Sequence, residues 1–220
     1  IMGFYRGPNI VTDGLVFAVD AGSERSYPGS GTTVSNIING ASGTLTNGVG
    51  FNSSNGGSFT LDGTDDYINF GNQSLISGDF CIDLWYKLTQ TKSEHYIFST
   101  GYNSAGSILI FTSGIWLNAA DTNGRMPGPG GTINEIINIT VERTGGVAKW
   151  YKNGVYQSSL SYSGAIASST TYTAGWAIPR NNGSAYMAGN LYSIKMYNKG
   201  FSSAEVTQNY NAQKSRFGLW

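Results

Sequence analysis

Along most of the chain, apolar and polar residues alternate with a period of two, the pattern of β-strands with one face turned to a core. The alternation is cleanest at residues 79–88: Phe80, Ile82, Leu84, Tyr86 and Leu88 fall on one face, and Cys81, Asp83, Trp85 and Lys87 on the other. Shorter runs predict strands at residues 15–19, 58–61, 67–70, 96–98, 107–111 and 114–119. Residues 136–159 read as a three-stranded meander, because Thr144-Gly145-Gly146 and Asn153-Gly154 interrupt alternating runs, and Asn-Gly favours a tight type I′ turn. Further strands are expected at 171–175 and 186–187, then a closing strand from Gly189 to Tyr197. In that strand Tyr192, Ile194 and Met196 are predicted on one face, with Leu191, Ser193, Lys195 and Tyr197 on the other. Residues 22–55 are rich in Gly, Ser, Thr and Asn, with short strands expected near 35–38 and 43–45.

The pattern changes once. Asn198-Lys199-Gly200 ends the closing strand, and Ser202 followed by Glu205 forms the sequence signature of a capping box. A short helix should start there, place Val206 and Tyr210 on one face with Phe217 further on, and stop before Gly218. About a dozen short strands and one helix predict an all-β fold. The architecture expected is an antiparallel two-sheet sandwich, or jelly roll, with one short C-terminal helix.

Composition narrows the picture. The 220 residues suit one sandwich domain, read here as residues 14–212 between an N-terminal arm (1–13) and a C-terminal tail (213–220). Thirteen basic residues balance thirteen acidic ones, so no electrostatic footprint for nucleic acid or an anionic membrane is expected. Only 12% of residues are charged, and such neutral surfaces suit glycans or other proteins. Cys81 is the single cysteine, which excludes an internal disulfide. The longest apolar run near the N-terminus, residues 15–19, is too short for a signal-peptide core or a membrane span. Export by the usual secretory route is therefore not indicated.

Several segments carry a resemblance. Residues 58–68 (SFTLDGTDDYI), 79–87 (DFCIDLWYK), 147–155 (VAKWYKNGV) and 189–206 together are similar, in order, to the laminin-G-like, concanavalin A-like jelly-roll family. The ends of the chain, including residues 7–16, 26–32, 208–212 and 216–218, resemble structural proteins of marine tailed phages. That likeness implies a capsid decoration, tail or fibre component. Such a chain is assembled in the host cytoplasm and displayed on the virion, with other virion proteins and copies of itself as partners.

Glycoside hydrolysis needs two carboxylates about 5 to 9.5 Å apart across a sugar cleft. The Glu-x-Asp-x-Glu arrangement that the resemblance implies for glucanases is absent, and Asp79 and Asp83, four apart on a strand, stand roughly 13 Å apart. His95 is the only histidine, and Cys81 reads as a packed small hydrophobe, so neither a nucleophilic dyad nor zinc is expected. The loop holding Asp62, Asp65 and Asp66 offers three carboxylates for calcium, against a reading as a tight Asx-type turn. Relatives of calcium-dependent type carry an acid near the positions of Tyr192 and Ser193, and its absence here weakens the metal.

Sugars stack on aromatic rings while their hydroxyls pair with amides and charges. Two loop clusters have that composition: Trp116, Asn118, Asp121, Asn123 and Arg125, and Trp176, Arg180, Asn181, Asn182 and Tyr186. Aromatic arms for assembly contacts are expected from Phe4, Tyr5 and Arg6 at one end and Phe217 and Trp220 at the other. The expected function is a non-enzymatic virion surface protein without a cofactor. A host-attachment adhesin binding surface glycan and a degenerate glycan hydrolase stand as alternatives.

Overall fold

A computed structural model of the protein describes residues 8–101, 106–118, 123–166, 170–175 and 185–220. Among the described residues sixteen strands form, fourteen of them at or close to places where the alternation predicts them and two where it does not. In chain order, β1 (Leu15–Asp20), β2 (Thr33–Ser35), β3 (Ser42–Thr46), β4 (Gly50–Asn52) and β5 (Ser58–Asp62) precede the Asp-rich turn. After it come β6 (Tyr67–Gln73), β7 (Phe80–Leu88), β8 (Tyr96–Ser99), β9 (Ser107–Phe111), β10 (Gly114–Asn118) and β11 (Asn123–Pro127). The meander is β12 (Ile136–Thr144), β13 (Val147–Lys152) and β14 (Val155–Ser161), followed by β15 (Thr170–Ala174), β16 (Ala188–Tyr197) and the helix α1 (Ser203–Gln213).

Two antiparallel sheets stack face to face. One runs β14-β13-β12-β7-β16-β5-β4 with β1 also on β16, and the other β11-β10-β9-β8-β15-β6-β3-β2. Their inner faces make the core: Phe80, Ile82, Leu84, Tyr86 and Leu88 of β7 are wholly buried in one cluster with Ile108, Ile110, Ile115 and Leu117 of the second sheet. The predicted division of β7 into two faces therefore holds.

Differences from the sequence reading have local causes. Strands β4 and β11 are too short or too glycine-rich to announce themselves. The strand expected near 35–38 stops at Ser35, because the Asn36 side chain takes over: its Oδ1 accepts from the Ala18 and Ile38 amides at 2.9 and 3.1 Å. Residues 186–187 lie just before β16 rather than forming a strand. The faces of β16 also change partway. Leu191 opposes Tyr86 and Ser193 opposes Trp85, leaving Tyr192 as an extra residue, a bulge. At that point the neighbour of β16 switches from β5, at Leu191–Phe59, to β1, at Ser193–Asp20. Leu191, Ile194 and Met196 consequently share the core, while Tyr192 turns outward onto Trp85 and Phe217, contrary to the uninterrupted alternation predicted for this strand.

The helix begins as the capping box dictates. The Ser202 amide donates to Glu205 Oε2 (2.8 Å) and the Glu205 amide to Ser202 Oγ (3.3 Å). The α-helix ends at Gln213 and tightens into a 3₁₀ turn, Lys214–Phe217, closed by Gly218 at φ 69°. It lies on the outer face of the first sheet, where Val206 joins Cys81, Tyr197 and Phe201, and Tyr210 stacks on Trp85 at 5.6 Å.

Candidate functional site

Where the chain leaves β1 it passes close over the loop before β5, and glycine makes that approach possible. A Cβ on Gly22 would lie 1.8 Å from the Gly56 carbonyl oxygen, and one on Gly57 2.8 Å from that of Ala21. Arg216, beyond α1, ties these segments together. Its Nη1 donates to both oxygens of Asp20 at 2.9 Å, while Nε reaches the Asn55 carbonyl at 2.8 Å and Nη2 the Gly57 carbonyl at 2.8 Å.

This construction leaves an open cleft of about 300 Å³, lined by Glu24, Tyr27, Pro28, Phe51, Ser53 and the glycines around them. Phe51 is 36% exposed and leans on Tyr27, with ring centroids 5.3 Å apart. Tyr27 in turn packs edge-on against Phe59 (5.2 Å) and donates its hydroxyl to the Gly31 carbonyl (2.9 Å), which holds the ring in place. Glu24 is exposed at the rim and has no partner among the described residues. The cleft thus offers a rigid aromatic wall, one free carboxylate and glycine backbone edges.

The predicted sugar-binding cluster around Trp116 has a different environment. Trp116 is half-buried, edge-on to Phe111 at 5.1 Å, and the Arg125 guanidinium lies 5.2 Å from its ring. Its indole Nε1 is buried without a hydrogen-bond partner. Tyr186 is half-buried, and its carbonyl accepts from Lys92 Nζ at 2.9 Å. Phe4, Tyr5, Arg6, Asp121, Trp176, Arg180, Asn181 and Asn182, and the side chains of Asn118 and Asn123, lie outside the described residues. At the C-terminus, Phe217 is buried against Trp85 (4.6 Å) and Tyr192 (4.9 Å), whereas Trp220 is 92% exposed.

The groups considered for catalysis are spoken for. Asp83 is wholly buried beneath α1, and Asp79 receives the Gly145 amide at 3.1 Å. Cys81 is buried, and that burial, with the charges of Asp83 and Glu142 beside it, pushes its thiol well above the usual range. His95 Nδ1 accepts from the Ala188 amide (3.2 Å), so Nε2 donates to the Gln90 carbonyl (3.1 Å). Burial holds this imidazole below its ordinary pKa, in the neutral form.

In the turn between β5 and β6 the carboxylates of Asp62, Asp65 and Asp66 converge, with one oxygen of each within 4.8 Å of the others. Asp62 is held below the usual carboxylate range, first by the Thr64 backbone amide. Asp66 is pushed up by burial and by the charges of Asp62 and Asp65.

The cleft residues Glu24, Tyr27 and Phe51 escaped the sequence reading. They come from two turn-rich stretches whose closeness depends on Arg216, and no periodicity marks them. The neighbouring Tyr27-Pro28-Gly29 turn was the only signal available.

Comparison with solved structures finds the same fold. Domain 4 of AbnA, a GH43 extracellular arabinanase from Geobacillus stearothermophilus solved with arabinotriose, aligns with a TM-score of 0.70 at 14% identity, covering 89% of this chain and 98% of that one. The binding domain of botulinum neurotoxin serotype D gives 0.69 at 18% identity, over 91% of this chain and 52% of that one. Trypanosoma rangeli sialidase in complex with sialic acid gives 0.67 at 9% identity; this chain is covered to 94% and spans about a third (34%) of the sialidase. No curated protein sequence matches. Residues 62–207 match the Laminin_G_3 family model, and the chain belongs to that family, the concanavalin A-like lectin/glucanases superfamily.

Proposed function

We propose that this chain is a non-enzymatic carbohydrate-binding module that holds a glycan in the Tyr27–Phe51 cleft and acts in surface attachment. The observation that carries the reading is the cleft itself. An exposed ring stiffened from behind by two others suits the apolar face of a pyranose or furanose. The free Glu24 carboxylate and the glycine backbone suit its hydroxyls. The arabinotriose complex of the arabinanase domain with the same fold supports a saccharide as ligand.

The absence of catalysis is part of the proposal. Hydrolysis uses two carboxylates flanking the bond, and in this cleft Glu24 stands opposite no second free acid, since Asp20 is committed to Arg216. Display on a virion, beside other virion proteins and copies of itself, draws its support from the phage-like terminal segments. Antibody labelling of intact particles tests that setting.

The test of the cleft is a glycan array followed by calorimetry on the best ligand. Phe51→Ala and Glu24→Gln should each weaken binding at least about tenfold, with an unchanged unfolding temperature, while Trp116→Ala leaves it intact. Loss of binding in Trp116→Ala with retention in Phe51→Ala would move the site to the second sheet. Release of reducing ends from a bound polysaccharide would overturn the non-enzymatic reading.

A further inference from the structure

The Tyr27–Phe51 cleft has a charge and a hydrogen-bonding character of its own. Glu24 is the one charged residue in its lining, and no lysine, arginine or histidine stands with it there. The two arginines of this region are committed elsewhere. Arg216, beneath the glycines, is neutralised by Asp20 and bonded to the carbonyls of Asn55, Gly56 and Gly57. Arg25 donates to the Ile37 carbonyl at 3.2 Å.

Backbone amides that could receive an anion are also taken. The Gly22 amide donates to Asp20 Oδ1 at 2.8 Å, that of Tyr27 to the Ser23 carbonyl at 2.8 Å and that of Gly57 to the Ser54 carbonyl at 3.1 Å. The Ala21 amide is bonded to the Tyr192 carbonyl at 3.0 Å, and Pro28 has no N–H to offer. A carboxylate or sulfate entering here would lose water without gaining these donors, and would meet the charge of Glu24 besides. A protonated amine is suited by the same features. It brings only donors, and both a carboxylate and the face of an aromatic ring attract it. The Phe51 and Tyr27 rings, 5.3 Å apart and inclined at 51°, supply the aromatic side of the cleft.

We infer that the cleft selects saccharides by charge: those bearing a protonated amine bind best, uncharged ones next, and those carrying a carboxylate or sulfate are rejected. The inference rests on the glycan reading of this cleft and adds the class of its ligand. Glu24 is exposed, so water weakens the effect. An ion pair about 4 Å apart in water corresponds to roughly fivefold in affinity, and salt reduces it further.

The experiment is calorimetry of the full chain with three trisaccharides of one linkage, built from glucosamine, glucose and glucuronate, at about pH 6, where an amine of this kind is charged. A glycan array holding matched aminated, uncharged and acidic saccharides extends the comparison to other sugar backbones. At low salt the aminated ligand should bind about fivefold more tightly than the uncharged one, and the acidic ligand at least about fivefold more weakly. Both gaps should narrow in about 0.5 M NaCl. Glu24→Gln, at an exposed position, should bring the three within about twofold of one another, lowering the aminated ligand and raising the acidic one. Equal binding of the three classes, tighter binding of the acidic one, or an order unchanged in Glu24→Gln would overturn the charge selection and leave the cleft as a glycan site. Binding of no class on the array, or binding that Phe51→Ala leaves intact, would overturn the glycan reading and this inference with it.

Discussion

Asp83 in the middle of β7 and Asn209 on α1 meet in an interface where both are wholly buried, with Asn209 Nδ2 3.1 Å from Asp83 Oδ2. Asn209 also donates to the Tyr197 hydroxyl (3.0 Å), and its Oδ1 accepts the Val11 amide (2.8 Å), so one side chain joins helix, sheet and N-terminal segment. Asn138 supplies a further donor to Asp83 Oδ1 at 2.9 Å, and Lys195 sits opposite Asp83 in the strand register. Burial pushes the Asp83 carboxyl up and the Lys195 ammonium down, so both charges depend on these contacts.

Asn209→Ala removes three hydrogen bonds and leaves a buried carboxylate short of a donor. It should destabilise the protein by about 2–4 kcal/mol in urea unfolding. Hydrogen exchange should quicken along α1. A loss below about 1 kcal/mol would mean that apolar contacts alone hold the helix.

Phe217 and Trp220 stand three residues apart at the C-terminus with opposite environments. Phe217→Ala empties the space between Trp85 and Tyr192 and should cost about 3 kcal/mol, the lower end for a buried aromatic. Trp220→Ala, at an exposed position, should stay within about 0.5 kcal/mol. Differential scanning calorimetry on the two variants separates intramolecular packing from a surface free for assembly.

His95 gives the stability a pH dependence. Its folded pKa lies below the ordinary value of 6.5 because burial disfavours the charged ring. Its contribution is therefore complete above pH 6.5 and is lost as the pH falls from 6.5 through the folded pKa. Protonation also removes the Ala188 amide's acceptor at Nδ1. Denaturant unfolding at pH 7.5 and 5 should show a loss of about 1 kcal/mol or more from this group. That part of the loss should disappear in His95→Gln, and an identical pH profile in the variant would refute it.

The Asn209 clasp illustrates why part of the fold was legible and part was not. The alternation at residues 79–88 correctly separated Asp83 and Trp85 from the core-facing Leu84 and Tyr86, because side-chain direction in a strand is local. That the outward face is nevertheless buried, and that Asn209 is what Asp83 meets there, depends on a helix 126 residues away.

The class of fold, the position of most strands and the start of the helix, down to the reciprocal bonds of Ser202 and Glu205, were legible in the residue pattern alone. These rest on interactions within a few residues, and the amino-acid pattern encodes them directly. Which way Tyr192 points depends on long-range pairing, since its bulge sits where β5 hands over to β1 along one edge of β16. The tertiary structure alone likewise assembled the Tyr27–Phe51 cleft, from two glycine-rich segments that touch backbone to backbone under the clamp of Arg216. Strand sharing and close backbone approach depend on partners remote in the chain, and no local period records them.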